Sequence, residues 1–234
     1  MTKNVLVTGG NRGIGFEIVK GMLSKGYKVL MGCRDEESGL EAKKELVGGD
    51  LHVIEMPLDN ETAIVDAFVR AEAVFGPIDI LINNAGVLDD TPWQEVTAES
   101  LAKSMQVNVY APLTLIQQTL PQMIERGFGR IINVSSSYGS FAEELKGPFS
   151  YAISKAAVNA LTVKMAAAVD EAANGEPLDV TVNSMTPGWV HTRMGGSDAP
   201  KTPEEGADTA IWLATMEKGG PHGQFLKDRK SIDW

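Results

Sequence analysis

The residues of this chain best suited by type and spacing to do chemistry are Tyr151 and Lys155, a phenol and an ammonium four positions apart in Ser150-Tyr151-Ala152-Ile153-Ser154-Lys155. The surrounding stretch is alanine-rich with helical spacing, and on a helix such residues share a face one turn apart. A cation beside a phenol lowers its pKa from ~10 toward neutrality, which makes tyrosine a usable general acid or base. The competing reading is an aromatic packing residue beside a solvated lysine. Taken alone the pair favours that reading, because surface pairs of this kind are common and worth only ~0.5 kcal/mol.

The elements that would have to position the pair narrow the choice. A chain of 234 residues suits one large α/β domain spanning 1–234. No run of eighteen apolar residues suggests a membrane span, and Met1-Thr2-Lys3-Asn4 runs straight into Val5-Leu6-Val7 without a signal peptide, so the expected location is cytoplasmic. The single cysteine, Cys33, excludes an intramolecular disulfide, and His52, His191 and His222 lack metal-ligand spacing, so no metal is expected. A net charge of −10 with no basic cluster opposes nucleic-acid binding.

Val5 to Thr8 reads as a strand that breaks at Gly9-Gly10-Asn11-Arg12-Gly13-Ile14-Gly15 and passes into a helix through Ile18 and Met22. Glycines there let backbone approach a pyrophosphate, whose charge the helix start favours. The spacing T-G-x-x-x-G-x-G differs from the G-x-G-x-x-G fingerprint, and a tight connection alone would also explain it. The next strand, Lys28 to Arg34, ends on Cys33 and Arg34. An acidic residue at that end would bind the ribose hydroxyls of NAD, whereas a neutral residue followed by arginine leaves space and charge for a 2′-phosphate. Arg12 could close over the same group, which favours NADP over NAD.

Leu51 to Met56 reads as the third strand, and Leu58-Asp59-Asn60 as the turn and N-cap of a helix over Ala63 to Phe75. Asp59 is assigned the cap, with a second role toward an adenine amine. Ile78 to Ile82 is a doubly buried strand ending at Asn83-Asn84-Ala85-Gly86, where paired amides could tie strand ends together or meet a ligand. Thr97 to Arg126 has a helical pattern interrupted by Pro112 and Pro121. Pro112 deprives the Asn108 carbonyl of its donor, so that main chain could bind a water, or the helix could simply be kinked. Gly129 to Ser137 is a buried strand running into hydroxyls, Ser150 to Ala173 a helix, and Val180 to Met185 the sixth strand, before Pro187, Gly188, Val190 and Thr192. Pro203 to Thr215 reads as a helix and Gly223 to Leu226 as a last short strand. The alternation predicts one doubly wound, Rossmann-type parallel sheet with helices on both faces.

Taken together and in order, these motifs resemble the short-chain dehydrogenase/reductase family. Thr8-Gly9-x-x-x-Gly13-x-Gly15 is similar to its cofactor turn, Asn83 to Gly86 to its central-strand motif, Asn108, Ser136, Tyr151 and Lys155 to its catalytic tetrad, and Pro187-Gly188 with Thr192 to its nicotinamide-side motif. Cys33-Arg34-Asp35 resembles the NADPH-using, carbonyl-reductase-like members. The resemblance implies that Tyr151 protonates a carbonyl oxygen held by Ser136, that Lys155 binds the nicotinamide ribose while lowering the phenol pKa, and that Asn108 places a relay water. It implies NADPH contacts from Gly9, Asn11, Arg12, Gly13, Ile14, Gly15, Arg34, Leu58, Asp59, Asn84, Ala85, Gly86, Tyr151, Lys155, Pro187, Gly188, Val190 and Thr192. It also implies a small carbonyl or alcohol substrate and a homodimer or homotetramer through the helices around Asn108 and Tyr151. Two departures stand out: His191 to Pro203 is short for a substrate lid, and Gly223 to Trp234 lacks the common Val-Asp-Gly-Gly close. Phe141, Phe149, Trp189 and Met194 are candidate substrate walls, each equally assignable to the core. The leading function is NADPH-dependent reduction of a ketone, aldehyde or quinone. The alternatives are an NAD-linked alcohol dehydrogenase and a non-catalytic dinucleotide-binding signalling protein.

Overall fold

A computed structural model describes residues 2–234 of the protein; Met1 lies outside them. Eight strands form one sheet: β1 Asn4–Thr8, β2 Lys28–Cys33, β3 Asp50–Glu55, β4 Ile80–Asn83, β5 Phe128–Val134, β6 Asp179–Met185, β7 Phe225–Lys227 and β8 Lys230–Ile232, in the order β3-β2-β1-β4-β5-β6-β7-β8. The first seven are parallel and β8 is antiparallel. The predicted doubly wound parallel sheet is present, and β8 adds one antiparallel strand at its edge. There Asp228 and Arg229 both take positive φ, 50° and 61°, and turn the chain in two residues, as a hairpin requires. Nothing in Asp-Arg announces such a turn. Arg229 is held from outside, by the Asp208 carboxylate and by Thr209, to whose hydroxyl its N–H donates.

Side-chain alternation sorts the core into two layers. Val5, Val7, Ile80, Ile82, Ile132 and Val134 point to the face covered by α1 (Gly13–Ser24), α2 (Glu36–Lys44) and α7 (Pro203–Ala214). Leu6, Leu81, Ile131 and Val182 point to the opposite face, covered by α3 (Glu61–Phe75), α5 (Ala111–Arg126) and α6 (Phe149–Ala173). The helix α2 is not foreseen by the sequence reading; its nine residues are largely polar and only Gly39 and Ala42 are buried. Asp35 starts it, accepting from the Ser38 N–H.

The cap of α3 is Asn60, which accepts from the Ala63 N–H at 2.8 Å, and not Asp59. The side chain three residues before the orphan N–H has the reach, and Asp59 stands one residue too early. The predicted single helix over Thr97 to Arg126 is two helices, α4 (Ala98–Met105) and α5, joined by a π-helical turn at Gln106–Tyr110. The Ala111 N–H reaches back to the Gln106 carbonyl. This wider turn precedes Pro112, whose missing N–H and ring clash disfavour a continuous α-helix. α6 is long and apolar enough to cross a membrane by length and composition, yet it carries buried Ser150, Ser154, Lys155, Asn159 and Thr162.

Candidate active site

The carboxyl ends of β1, β2, β4, β5 and β6 open on one crevice. At its β1 side Gly9 and Gly13 take φ of 62° and 53°, a conformation that favours glycine. Gly15 has no room for a side chain: a Cβ would stand 2.2 Å from the Gly9 carbonyl oxygen and 2.4 Å from the Asn84 amide nitrogen. Asn84 is committed to holding this turn, donating to the carbonyls of Thr8 (2.9 Å) and Gly9 (3.2 Å). The main-chain N–H groups of Asn84 and Ala85 both donate to the Thr8 hydroxyl.

The start of α1 differs from those of α2, α3, α4 and α7. Each of these is capped by a side chain, whereas Arg12 at the head of α1 provides no cap and the first turn holds no acidic residue. Its uncapped N–H groups and dipole suit an anion, so the residues fit the pyrophosphate of a dinucleotide. Beside it, Arg12 and Arg34 both lie close enough to Asp35 to hold its carboxyl below the usual carboxylate range, although the larger cause is the bonding to Ser38. Asn11 donates to the Ser38 hydroxyl at 2.9 Å. Ser38, absent from the sequence assignment, thus joins Arg12 and Arg34 in this corner. Leu58 turns its side chain to the core and its carbonyl accepts from Gln106, while Asp59 stays exposed.

Across the crevice, Val190 and Lys201 form an isolated bridge, which ties the segment after β6 onto the start of α7. A Cβ on Gly13 would touch Thr192 at 3.3 Å, and one on Gly206 would meet both Val190 and Ile14, so the glycine turn and the Pro187–Thr192 segment face each other closely. Gly188, at φ +79°, lies under the Lys201 side chain, which pairs with Asp228.

At the β5 side, Ser135 is buried and donates to the Lys155 carbonyl (3.2 Å), whereas Ser136 is partly open and accepts from the Tyr138 N–H. Tyr151 is buried, and the Lys155 ammonium lies 5.5 Å from its ring centroid. Lys155 donates to the Val134 carbonyl at 2.8 Å, leaving two of its three protons uncommitted in the described contacts. The first partner of Lys155 in this structure is therefore main chain. A Cβ on Gly86 would come within 3.5 Å of that ammonium and 3.2 Å of Asn108 Oδ1, so the bare glycine keeps space open beside both groups.

Burial governs both ionisations. It pushes the Tyr151 phenol up to about 12, with Ser136 pulling it down and nearby Tyr138 pushing it further up. It lowers Lys155 to about 8. Each shift is set chiefly by removal of the group from water. Asn108 is buried, accepting from the Val87 N–H (2.8 Å) and donating to the Val87 carbonyl and the Ser154 hydroxyl (2.9 Å each). Its side chain thus ties the π turn to the β4 end and to α6. A further ladder fixes α6 to the sheet: Asn83 donates to Asn133, Asn133 to Thr162, and Thr162 meets Ser184 at 2.7 Å.

The four proposed wall residues are all exposed, so none belongs to the core. The Trp189 indole donates to the Gly195 carbonyl at 2.7 Å and closes the short loop containing Met194. Phe149 lines a cavity of about 480 Å³ with Trp93, Leu145 and Ile153. Ser136, Tyr151 and Lys155 do not line it, although Ala152, next to Tyr151, does. Tyr138, which the sequence reading passed over, is close enough to Tyr151 to raise its phenol further. Its position two residues after Ser136 was the available signal. Among the described residues no cluster of His, Cys, Asp or Glu could hold a metal ion.

This fold and site define a dinucleotide-binding oxidoreductase. The chain belongs to the short-chain dehydrogenase family, whose model matches residues 3–203. Its relatives include a carbonyl reductase of Mus musculus named for NADPH, 31% identical with 98% of this chain and 97% of that protein covered. An acetoacetyl-CoA reductase of Rhizobium meliloti (strain 1021) is 32% identical, with 94% and 93% covered. Among solved structures, the carbonyl reductase Sniffer of D. melanogaster superimposes with a TM-score of 0.86 at 25% identity over the whole of both chains. A metagenomic short-chain oxidoreductase in complex with NADP gives 0.78 at 29% identity, covering 93% of each chain.

Proposed function

We propose that the protein reduces the carbonyl of a small ketone, aldehyde or quinone to an alcohol with NADPH, Tyr151 acting as general acid. The observation that carries this reading is the meeting of a buried phenol and an accessible serine hydroxyl at the strand ends, one helical turn from a buried lysine. The bound nicotinamide would supply the hydride. Ser136 donates to the substrate oxygen and Tyr151 delivers the proton to it; a phenol held near 12 is fully protonated at neutral pH, as reduction requires. Lys155, charged below about 8, directs its free protons toward the ribose and the alkoxide charge. Asn108 holds the π turn whose main chain would seat a relay water. Gly9, Asn11, Gly13, Ile14 and Gly15 present the backbone that receives the pyrophosphate, Arg12 and Arg34 the charge that selects the 2′-phosphate. Leu58 and Asp59 border the adenine, and Ala85, Gly86, Pro187, Gly188, Val190 and Thr192 the nicotinamide half.

The exposed Phe149, Ile153 and Val163 share one side of α6 and support self-association, which sedimentation would measure. The function is tested by steady-state turnover of a carbonyl panel, acetoacetyl-CoA included, with NADPH and NADH. NADPH oxidation by wild type that disappears in Tyr151→Phe is the expected result. NADPH binding without turnover of any carbonyl would leave only a nucleotide-binding protein, and equal rates with NADH would remove the role given to the arginines. For reduction, kcat/KM is expected to be level below about pH 8 and to fall above it as Lys155 deprotonates.

A further inference from the structure

We propose that the Asp233–Trp234 peptide is a latch that holds the Ser140–Leu145 turn, thereby positions Tyr138 at the wall of the reaction centre, and so sets which carbonyls fit. This inference rests on the carbonyl-reductase reading. The segment between Ser136 and α6 is fixed at its near end by the catalytic helix itself. Its 3-10 turn, Ser137–Gly139, presses so closely on α6 that a Cβ at Gly139 would stand 2.5 Å from the Lys155 carbonyl carbon. Asn159 donates to the Gly139 carbonyl at 3.1 Å.

The far end has a different anchor. Ser140 is fully buried; its hydroxyl donates to the Asp233 carbonyl (3.2 Å) and accepts from the Glu143 N–H (3.3 Å). The Ala142 N–H donates to the Trp234 carbonyl at 3.0 Å, and the Leu145 N–H closes the turn on the Ser140 carbonyl at 3.0 Å. Apart from the local bond of the Ser140 N–H to the Ser137 carbonyl, among the described residues these bonds to Asp233 and Trp234 are the hydrogen bonds that reach residues 140–145 from outside. Trp234 is itself held: its ring stacks on fully buried Phe225 at 5.5 Å and 13°. Glu144 and Leu145 both take positive φ, 62° and 49°, a conformation that side-chain-bearing residues adopt only when surrounding structure imposes it.

Tyr138 connects the turn to the chemistry. Its ring covers Gly147, where a Cβ would stand 2.4 Å from ring carbon Cδ2, so a wall residue sits on the far end of the latched segment. Its phenol is also near enough to raise that of Tyr151. Asp233 and Trp234 are distant in sequence from both tyrosines and act through the Ser140–Leu145 turn, so they are positioning residues.

The test compares Trp234→Ala, Trp234→Phe and Ser140→Ala with wild type, reading kcat and KM for a compact and a bulky ketone, NADPH affinity by fluorescence, and amide exchange at Ala142 and Leu145. Trp234→Ala and Ser140→Ala are expected to speed exchange at those amides and to raise KM for the preferred ketone about tenfold, with kcat and NADPH affinity within about twofold. Trp234→Phe, which keeps a ring to stack, restores wild-type values. Unchanged exchange in Trp234→Ala, or a joint loss of kcat, NADPH affinity and thermal stability in all three variants, would overturn the latch. If wild type turned over no carbonyl, the functional reading would fall instead, and the exchange rates would still decide whether the latch exists.

Discussion

At the β2 end of the crevice the groups proposed to meet the nucleotide are exposed and local: Arg12 and Arg34 stand in solvent, Asn11 bonds to Ser38, and the start of α1 is left uncapped. At the β5 end Tyr151 and Lys155 are buried, and their surroundings come from β4, β5, the π turn and α6, up to 50 residues apart in sequence along the Asn83–Asn133 bond. The first region offers charge that remains hydrated. The second works through desolvation, which displaces both pKa values away from the charged forms. Specificity for the nucleotide is thus separable from catalysis, and substitutions at the two ends should fail in different ways.

The sharpest break in that comparison is Tyr151→Phe, expected to lower kcat by about 10²–10⁴-fold while NADPH affinity by fluorescence titration stays within about twofold, since a general acid contributes on that scale. Retention of full kcat would move the proton donor elsewhere. Next is the ionisation of Lys155. Its folded pKa of about 8 lies below the ordinary 10.5, so the unfolded chain binds more protons between those values and stability from this group rises with pH through that window. Relative to Lys155→Met, wild type should therefore gain about 2–3 kcal/mol in denaturant unfolding between pH 8 and 10. Tyr151 and Cys33, whose raised pKa values act in the opposite sense, are common to both proteins and cancel. A flat difference would mean that the ammonium is not desolvated.

At the exposed end the effects are smaller. Arg34→Ala should weaken NADPH about tenfold to a hundredfold, the scale of one charge-assisted bond, and leave NADH unchanged. An unchanged preference would remove Arg34 from the phosphate corner. Arg12→Ser gives α1 the side-chain cap it lacks. We expect it to stabilise the nucleotide-free protein by about 1 kcal/mol, read as a rise in Tm of about 2–4 °C, while weakening NADPH. A loss of stability would show that the uncapped start costs the free protein nothing.

What could be read from the sequence follows the same division. The glycine turn, the amide pair and the Tyr-Lys spacing are legible because each is a short string of distinctive residue types. Strand and helix order was legible because buried parallel strands are apolar throughout. The errors fell where a neighbour decides. Asp59 and Asn60 are equivalent as letters, and the register of α3 chose Asn60. The largely polar α2 has little apolar periodicity to signal it. The Asp228–Arg229 hairpin exists because Asp208 and Thr209 hold it.

By itself the sequence determined the parallel α/β alternation, the cofactor turn and the identity of the phenol and lysine, since local propensity and short-range spacing suffice for these. Tertiary structure alone decided how Tyr151 and Lys155 ionise. Spacing puts a charge one helical turn from a phenol, but packing is what removes both groups from water, raising the phenol and lowering the ammonium.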